Sequence, residues 1–122
     1  PSHLEALNLS SGTTRLLLKT RNSALWDTPN HEFVKDFAAL TADSAQWVVD
    51  RGIRLVGIDY LSIQLFADEV STTHHVLLAD EVIIVEGLDL RAIEPGAYHL
   101  TCLPMKLKDA DGAPVRAILT EL

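Results

Sequence analysis

His74 and Glu86 are the side chains in this sequence best suited to chemistry. Glu86 directly follows Val82-Ile83-Ile84-Val85, a β-branched run that reads as a fully buried strand. A carboxylate at the end of such a strand is drawn toward the interior, where an unpaired charge is costly. It needs a cation, a hydrogen-bond donor or a metal ion. His74 stands at the start of a predicted helix that Thr72 or Thr73 caps and that runs to about Asp80. Imidazole nitrogen and carboxylate oxygen together suit zinc or manganese. On spacing alone the simpler reading is structural, with Glu86 at a strand end in water and His74 a helix-start residue. His75 points elsewhere on the helix and reads as surface or as support for its neighbour.

Other candidates read first as structure. Asp27-Thr28-Pro29-Asn30-His31 has the residue types of a metal-binding loop, but Asp, Asn and Pro together make ordinary turns. Asp59 follows a strand, a position that faces the ligand crevice in open α/β sheets. Ser62 lies three residues on, and a bond between the two that fixes the loop is favoured over a catalytic pair. Cys102 sits in an apolar stretch and reads as a small buried hydrophobe, with no basic neighbour to activate a thiolate. Arg15, Arg21, Arg51, Arg54, Arg91 and Arg116 are scattered and read as surface or structural charges. Trp26, Phe33 and Phe37 are candidates for pocket or interface packing, with packing favoured. The sequence has no glycine-rich phosphate loop, no Cys-x-x-Cys pair and no Gly-x-Ser-x-Gly elbow.

These residues are set among short, clearly punctuated elements. Residues 14–20 read as a strand with an apolar centre. Residues 4–9 form a helical turn or loop, and residues 32–40 a short helical turn or irregular docking segment. Thr41 can cap a helix in which Asp43 meets the favourable end of the dipole, and Gly52 ends it in a left-handed conformation. Arg54-Leu55-Val56-Gly57-Ile58 follows at once as a strand, the helix-to-strand unit of α/β layers. Pro95-Gly96 is a turn, and residues 97–103 read as a strand stopped by Pro104. Asp111-Gly112 is a second turn, between runs at 105–107 and 115–119 that read as paired strands. The expected fold is α/β, a mixed sheet with flanking helices, in one domain spanning residues 1–122.

With 122 residues, 48 % of them hydrophobic and 22 % charged, the chain can bury a real core. A net charge of −7 disfavours nucleic acid, because no basic patch offsets it. The apolar runs are far shorter than the roughly 20 residues needed to cross a bilayer, so no membrane partner is expected and cytoplasm is the expected location.

Several stretches taken in order resemble one family. They are Leu17-Leu18-Lys19-Thr20-Arg21-Asn22-Ser23, the run from Gly52 through Gly57-Ile58-Asp59-Tyr60-Leu61-Ser62, and His74-His75-Val76-Leu77-Leu78. Ile84-Val85-Glu86-Gly87-Leu88-Asp89-Leu90, Pro95-Gly96-Ala97-Tyr98, Leu103-Pro104-Met105-Lys106-Leu107 and Asp111-Gly112-Ala113-Pro114-Val115-Arg116-Ala117 continue the series. Together they cover nearly the whole chain and resemble the cyclase family, which includes kynurenine formamidases and isatin hydrolases. The resemblance implies the C-terminal part of that family's swivelling β/β/α fold. It also implies one or two divalent ions, zinc or manganese, hydrolysis of an amide or related acyl bond of a small molecule, and assembly into a homo-oligomer. By the same resemblance His74 and Glu86 fall on the family's C-terminal ligand positions.

The sequence departs from the family at its other ligand motif, His-x-Gly-Thr-His-x-Asp-x-Pro-x-His. Asp27-x-Pro29-x-His31 imitates the end of that motif, but Arg21 and Leu25 stand where its first two histidines belong. The imitation also lies where the family has already passed the motif, so it reads as coincidence. The expectation is therefore a domain lacking the N-terminal metal segment and inactive alone. The alternative is a binding or oligomerisation module that keeps the fold without the chemistry.

Overall fold

A computed structural model of the protein describes residues 2–27, 32–68 and 70–122. Two compact units divide the chain, Pro1–Ala92 and Ile93–Leu122. The first opens with a short helix α1 (Ser2–Glu5), followed by strand β1 (Arg15–Leu18) and a 3₁₀ segment (Arg21–Asp27). Helix α2 (Ala42–Asp50), strand β2 (Leu55–Ile58), helix α3 (Thr72–Ala79) and strand β3 (Ile83–Val85) complete it. The strands form a parallel sheet in the order β1-β2-β3, with Leu16 opposite Val56 and Val56 opposite Ile84. The second unit is an antiparallel pair, β4 (Tyr98–Pro104) and β5 (Val115–Glu121), with Leu100 opposite Leu119. Mixed α/β architecture with flanking helices is thus as expected.

The central strand explains its own sequence. All four residues of β2 are buried, because a parallel strand with neighbours on both edges is covered on both faces. Val56 and Ile58 join Leu16, Ala45, Val48, Ile53, Ile63 and Leu77 in the core between the sheet and helices α2 and α3. On the other face Gly57 leaves room for Leu17 and Leu88, whose methyl carbons lie 2.6 and 2.7 Å from where a Cβ would stand.

Four local expectations are corrected. The run at residues 82–85 is not uniformly buried: β3 is an edge strand, and Ile83 is 58 % exposed while Val82 and Val85 are covered. Helix α3 is preceded by Ser71 as its N-cap, not Thr72 or Thr73. Thr73 is instead buried, and its Oγ1 donates to the Leu40 carbonyl at 3.2 Å. Finally, β5 pairs with β4; residues 105–107 contribute only the Met105 N–H, which donates to the Pro114 carbonyl at 2.9 Å. Cys102 lies on β4, half-buried rather than enclosed.

Gly52 ends α2 at φ +74°, as its sequence position predicts. Apart from its chain neighbours no heavy atom lies within 4 Å of the site of an added Cβ, so a side chain there meets backbone strain and no packing clash. Gly52→Ala is expected to lower the unfolding free energy by about 1 kcal/mol, read from the urea midpoint at unchanged slope.

Candidate functional site

The site lies at the C-terminal edge of the parallel sheet, where α/β folds place their ligands. Helix α3 leads into β3 through a turn at Asp80 and Glu81, with Glu81 at φ +56°. The chain reverses there, so the first turn of α3 returns to the far end of β3. Eight helical residues span about 12 Å and three extended ones about 10 Å. These lengths match, so His74, in the first turn of α3, meets Glu86, the residue after β3. His74 Nε2 lies 3.2 Å from Glu86 Oε1, with 30 % and 34 % of the two side chains exposed. The pair read from the sequence is therefore brought together. His75 is exposed on the helix surface.

Residues Ile63 and Gln64, in the loop after β2, bracket the pair. The Ile63 N–H donates to Glu86 Oε1 at 2.8 Å. Gln64 Oε1 accepts the His74 backbone N–H at 3.3 Å and faces His74 Nδ1 at 3.3 Å. The loop is anchored by the Leu40 N–H, which donates to the Ile63 carbonyl at 2.9 Å, and by a parallel bridge between Leu40 and Gln64. Sequence reasoning missed both residues. Their role comes from a backbone N–H and an amide in an aperiodic loop, which leaves no pattern to read.

Both ring nitrogens of His74 thus face oxygen acceptors, and a neutral imidazole has only one N–H. A proton or a metal ion must lie between Nε2 and Glu86 Oε1 when Nδ1 donates to Gln64. In that tautomer the Nε2 lone pair faces Glu86 Oε1, an arrangement suited to a divalent cation, with His74 and Glu86 as the side chains that would hold it. Among the described residues no group of three or more His, Cys, Asp or Glu gathers around a common point. The described residues offer two ligands, fewer than the three protein ligands of a catalytic zinc site.

Asp59, also at this edge, is fully buried and does not bond Ser62. Its carboxylate accepts from the Thr20 N–H at 2.7 Å, Thr20 Oγ1 at 2.8 Å and Ser23 Oγ at 2.7 Å. Ser62 Oγ accepts the Gln64 N–H at 3.1 Å. Asp59 thus ties the turn after β1 to the end of β2, with both carboxylate oxygens engaged by neighbouring donors.

Trp26 and Phe37 pack on Tyr60, and Phe33 stacks on the same ring at 6.1 Å between centroids. Phe66, half-exposed, extends the cluster at 5.6 Å from Phe33. Packing of Trp26, Phe33 and Phe37 is as expected; Tyr60 and Phe66 are additions. The loop motif beginning at Asp27 has Thr28, Pro29, Asn30 and His31 outside the described residues.

Arg91 is a structural charge. Its guanidinium makes two bonds to Asp89, at 2.9 and 2.8 Å, and reaches Asp27 as well. The side-chain bond from Arg91, then its backbone N–H, holds the Asp89 carboxyl at a pKa of about 2, below the ordinary 3.8. A depressed folded-state pKa gives a contribution present above the ordinary value and lost as pH falls through about 2. Carboxyl-carbon NMR is expected to place the Asp89 midpoint near 2 in the wild type and to move it toward 3.8 in Arg91→Leu.

Among the described residues no helix is long and apolar enough to cross a membrane. No protein-family model matches the sequence. Individual proteins do. Cyclase-like protein 3 of Oryza sativa subsp. japonica is 43 % identical over 118 residues, covering 95 % of this chain and 43 % of its own length. Kynurenine formamidase of Bordetella avium (strain 197N) is 38 % identical over 108 residues, 88 % of this chain and 50 % of that enzyme. A solved structure described as a potential metal-dependent hydrolase with cyclase activity superposes with a TM-score of 0.84 at 36 % identity, covering 97 % of this chain and 55 % of its own. A predicted metal-dependent hydrolase from Bacillus stearothermophilus gives the same TM-score at 35 % identity. The chain spans about half the length of the curated relatives it matches. Sequence and fold agree over nearly all of its residues: the chain belongs to the family of cyclase-like proteins and kynurenine formamidases.

Proposed function

We propose that this chain is the C-terminal portion of a metal-dependent hydrolase that cleaves an amide or related acyl bond of a small molecule, as the formamidase relatives' name suggests. The single observation behind the reading is the contact between His74 Nε2 and Glu86 Oε1, two oppositely suited donor atoms held at 3.2 Å. They serve as ligands to a divalent ion, zinc or manganese, not as acid or base. A bound ion supplies Lewis acidity toward a carbonyl oxygen and acidifies water. His74 and Glu86 hold that charge at the sheet edge, while Ile63 and Gln64 fix their orientation. The remaining ligands, and the final histidine of the His-x-Gly-Thr-His-x-Asp-x-Pro-x-His motif, which in the family would transfer a proton, would come from polypeptide beyond this chain. By itself the chain binds a divalent ion weakly and does not turn over a formamide.

The test is calorimetric titration of the chain with zinc and with manganese, repeated on His74→Ala and Glu86→Ala. Binding that both substitutions abolish supports the reading; binding indifferent to either substitution overturns it. A second reading, a binding or oligomerisation module, is favoured by the β4–β5 unit. Leu103, Met105, Ile118 and Leu122 are all exposed there, at 62, 58, 47 and 76 %. These exposed apolar side chains would suit an association surface, and we assign homo-oligomer formation to it. Sedimentation of the purified chain separates monomer from oligomer.

A further inference from the structure

Gln64 is 93 % buried yet belongs to no periodic element, and its amide is fully oriented by its surroundings. Its exposure is 7 %. On one side Nε2 donates to the Val70 carbonyl at 3.3 Å and approaches the Asp68 carbonyl at 3.5 Å. On the other side Oε1 accepts the His74 backbone N–H at 3.3 Å. Turning the amide over would set its NH₂ against the His74 N–H and its oxygen against two carbonyls, so Oε1 is fixed on the histidine side. The same Oε1 lies 3.3 Å from His74 Nδ1, where only an N–H on the ring can make a bond.

The geometry points to Gln64 as the positioning residue of the His74–Glu86 pair: it selects the Nδ1–H form of the imidazole and so leaves the Nε2 lone pair for a cation shared with Glu86. The inference rests on the cation reading for its purpose but not for its geometry. The bond from a ligating histidine's other nitrogen fixes both ring angle and tautomer, and removing such a support typically costs 10–100-fold in metal affinity. The bracket is stiff because it is tied on both sides. Leu40 holds the backbone on either side of the Ile63–Gln64 junction, and Thr73 Oγ1 bonds back to the Leu40 carbonyl beside His74.

In the metal-free chain Glu86 competes for the ring proton through Nε2, so the decisive measurement removes that competitor. Nitrogen-15 NMR of ring-labelled Glu86→Ala, in alkaline buffer, is expected to show His74 as the Nδ1–H tautomer. Adding Gln64→Leu should return the ring to the Nε2–H form that free histidine prefers. Zinc titration of chains retaining Glu86 should weaken about 10–100-fold on Gln64→Ala and recover in part on Gln64→Glu, which restores the acceptor. An Nε2–H ring in the Glu86→Ala chain overturns the inference without any change at Gln64, so a misfolded Gln64 variant does not shield it. If zinc fails to bind the wild type, the cation reading falls and the ring proton alone decides the role of Gln64. If zinc binds and is lost on His74→Ala but the tautomer is Nε2–H, the cation reading stands and the positioning role does not.

Discussion

Asp59→Ala is expected to lower the unfolding free energy by about 3–5 kcal/mol, the largest stability effect of any single substitution at this sheet edge. The carboxylate is fully buried and accepts three bonds, and alanine would leave the Thr20 N–H, Thr20 Oγ1 and Ser23 Oγ facing a void. An unsatisfied buried donor costs about 1–3 kcal/mol, and total stability of a domain is only about 5–15 kcal/mol. The urea midpoint should therefore fall by more than about 1 M. Asp59→Asn keeps the shape and an acceptor oxygen, and should lose about 1–2 kcal/mol. An alanine variant within about 0.5 kcal/mol of wild type would show that water replaces the carboxylate, leaving no structural role for Asp59.

His74→Ala and Glu86→Ala are each expected to reduce zinc affinity at least about 100-fold, since losing one of two ligands exceeds the 10–100-fold cost of losing an outer support. Four-ligand structural zinc sites bind with about 10–16 kcal/mol. Two ligands at the same value each give about 5–8 kcal/mol, a Kd of roughly 1 to 200 µM. Calorimetry reads this range directly. The pattern across variants matters as much as the number. Glu86→Ala also removes the acceptor for the Ile63 N–H, whereas His74→Ala leaves Glu86 and that bond in place. If either alanine variant binds zinc like the wild type, the pair is an ordinary half-exposed ion pair.

The elements that position the site were legible because each has a local cause. Leu55 to Ile58 is a run of apolar residues with a single glycine, as a strand covered on both faces must be. Gly52 marks the helix end because its backbone needs positive φ. The burial of β3 was misjudged for a related reason: a β-branched run has the same composition at the centre of a sheet and at its edge, and only the strand order exposes Ile83. Strand partners differ in the second unit, because Asp111-Gly112 has the composition of a turn, whereas the turn itself falls at Lys108 and Asp109, and neither tells which upstream run β5 reaches across to.

His74 and Glu86 were singled out by residue type and by resemblance, but their meeting depends on α3 and β3 having matched lengths around one reversal. The partners of Asp59 and His74 were not legible at all. Thr20 is 39 residues from Asp59, and Gln64 is 10 residues from His74 in an irregular loop. Composition, periodicity and turn chemistry are properties of neighbours along the chain, so the sequence by itself determined helices α2 and α3, the central strand, the net acidic charge and the family. A hydrogen bond between distant side chains has no such signature. Which carboxylate would be satisfied by buried donors, and which would be left facing an imidazole, was decided only when the strands were laid side by side.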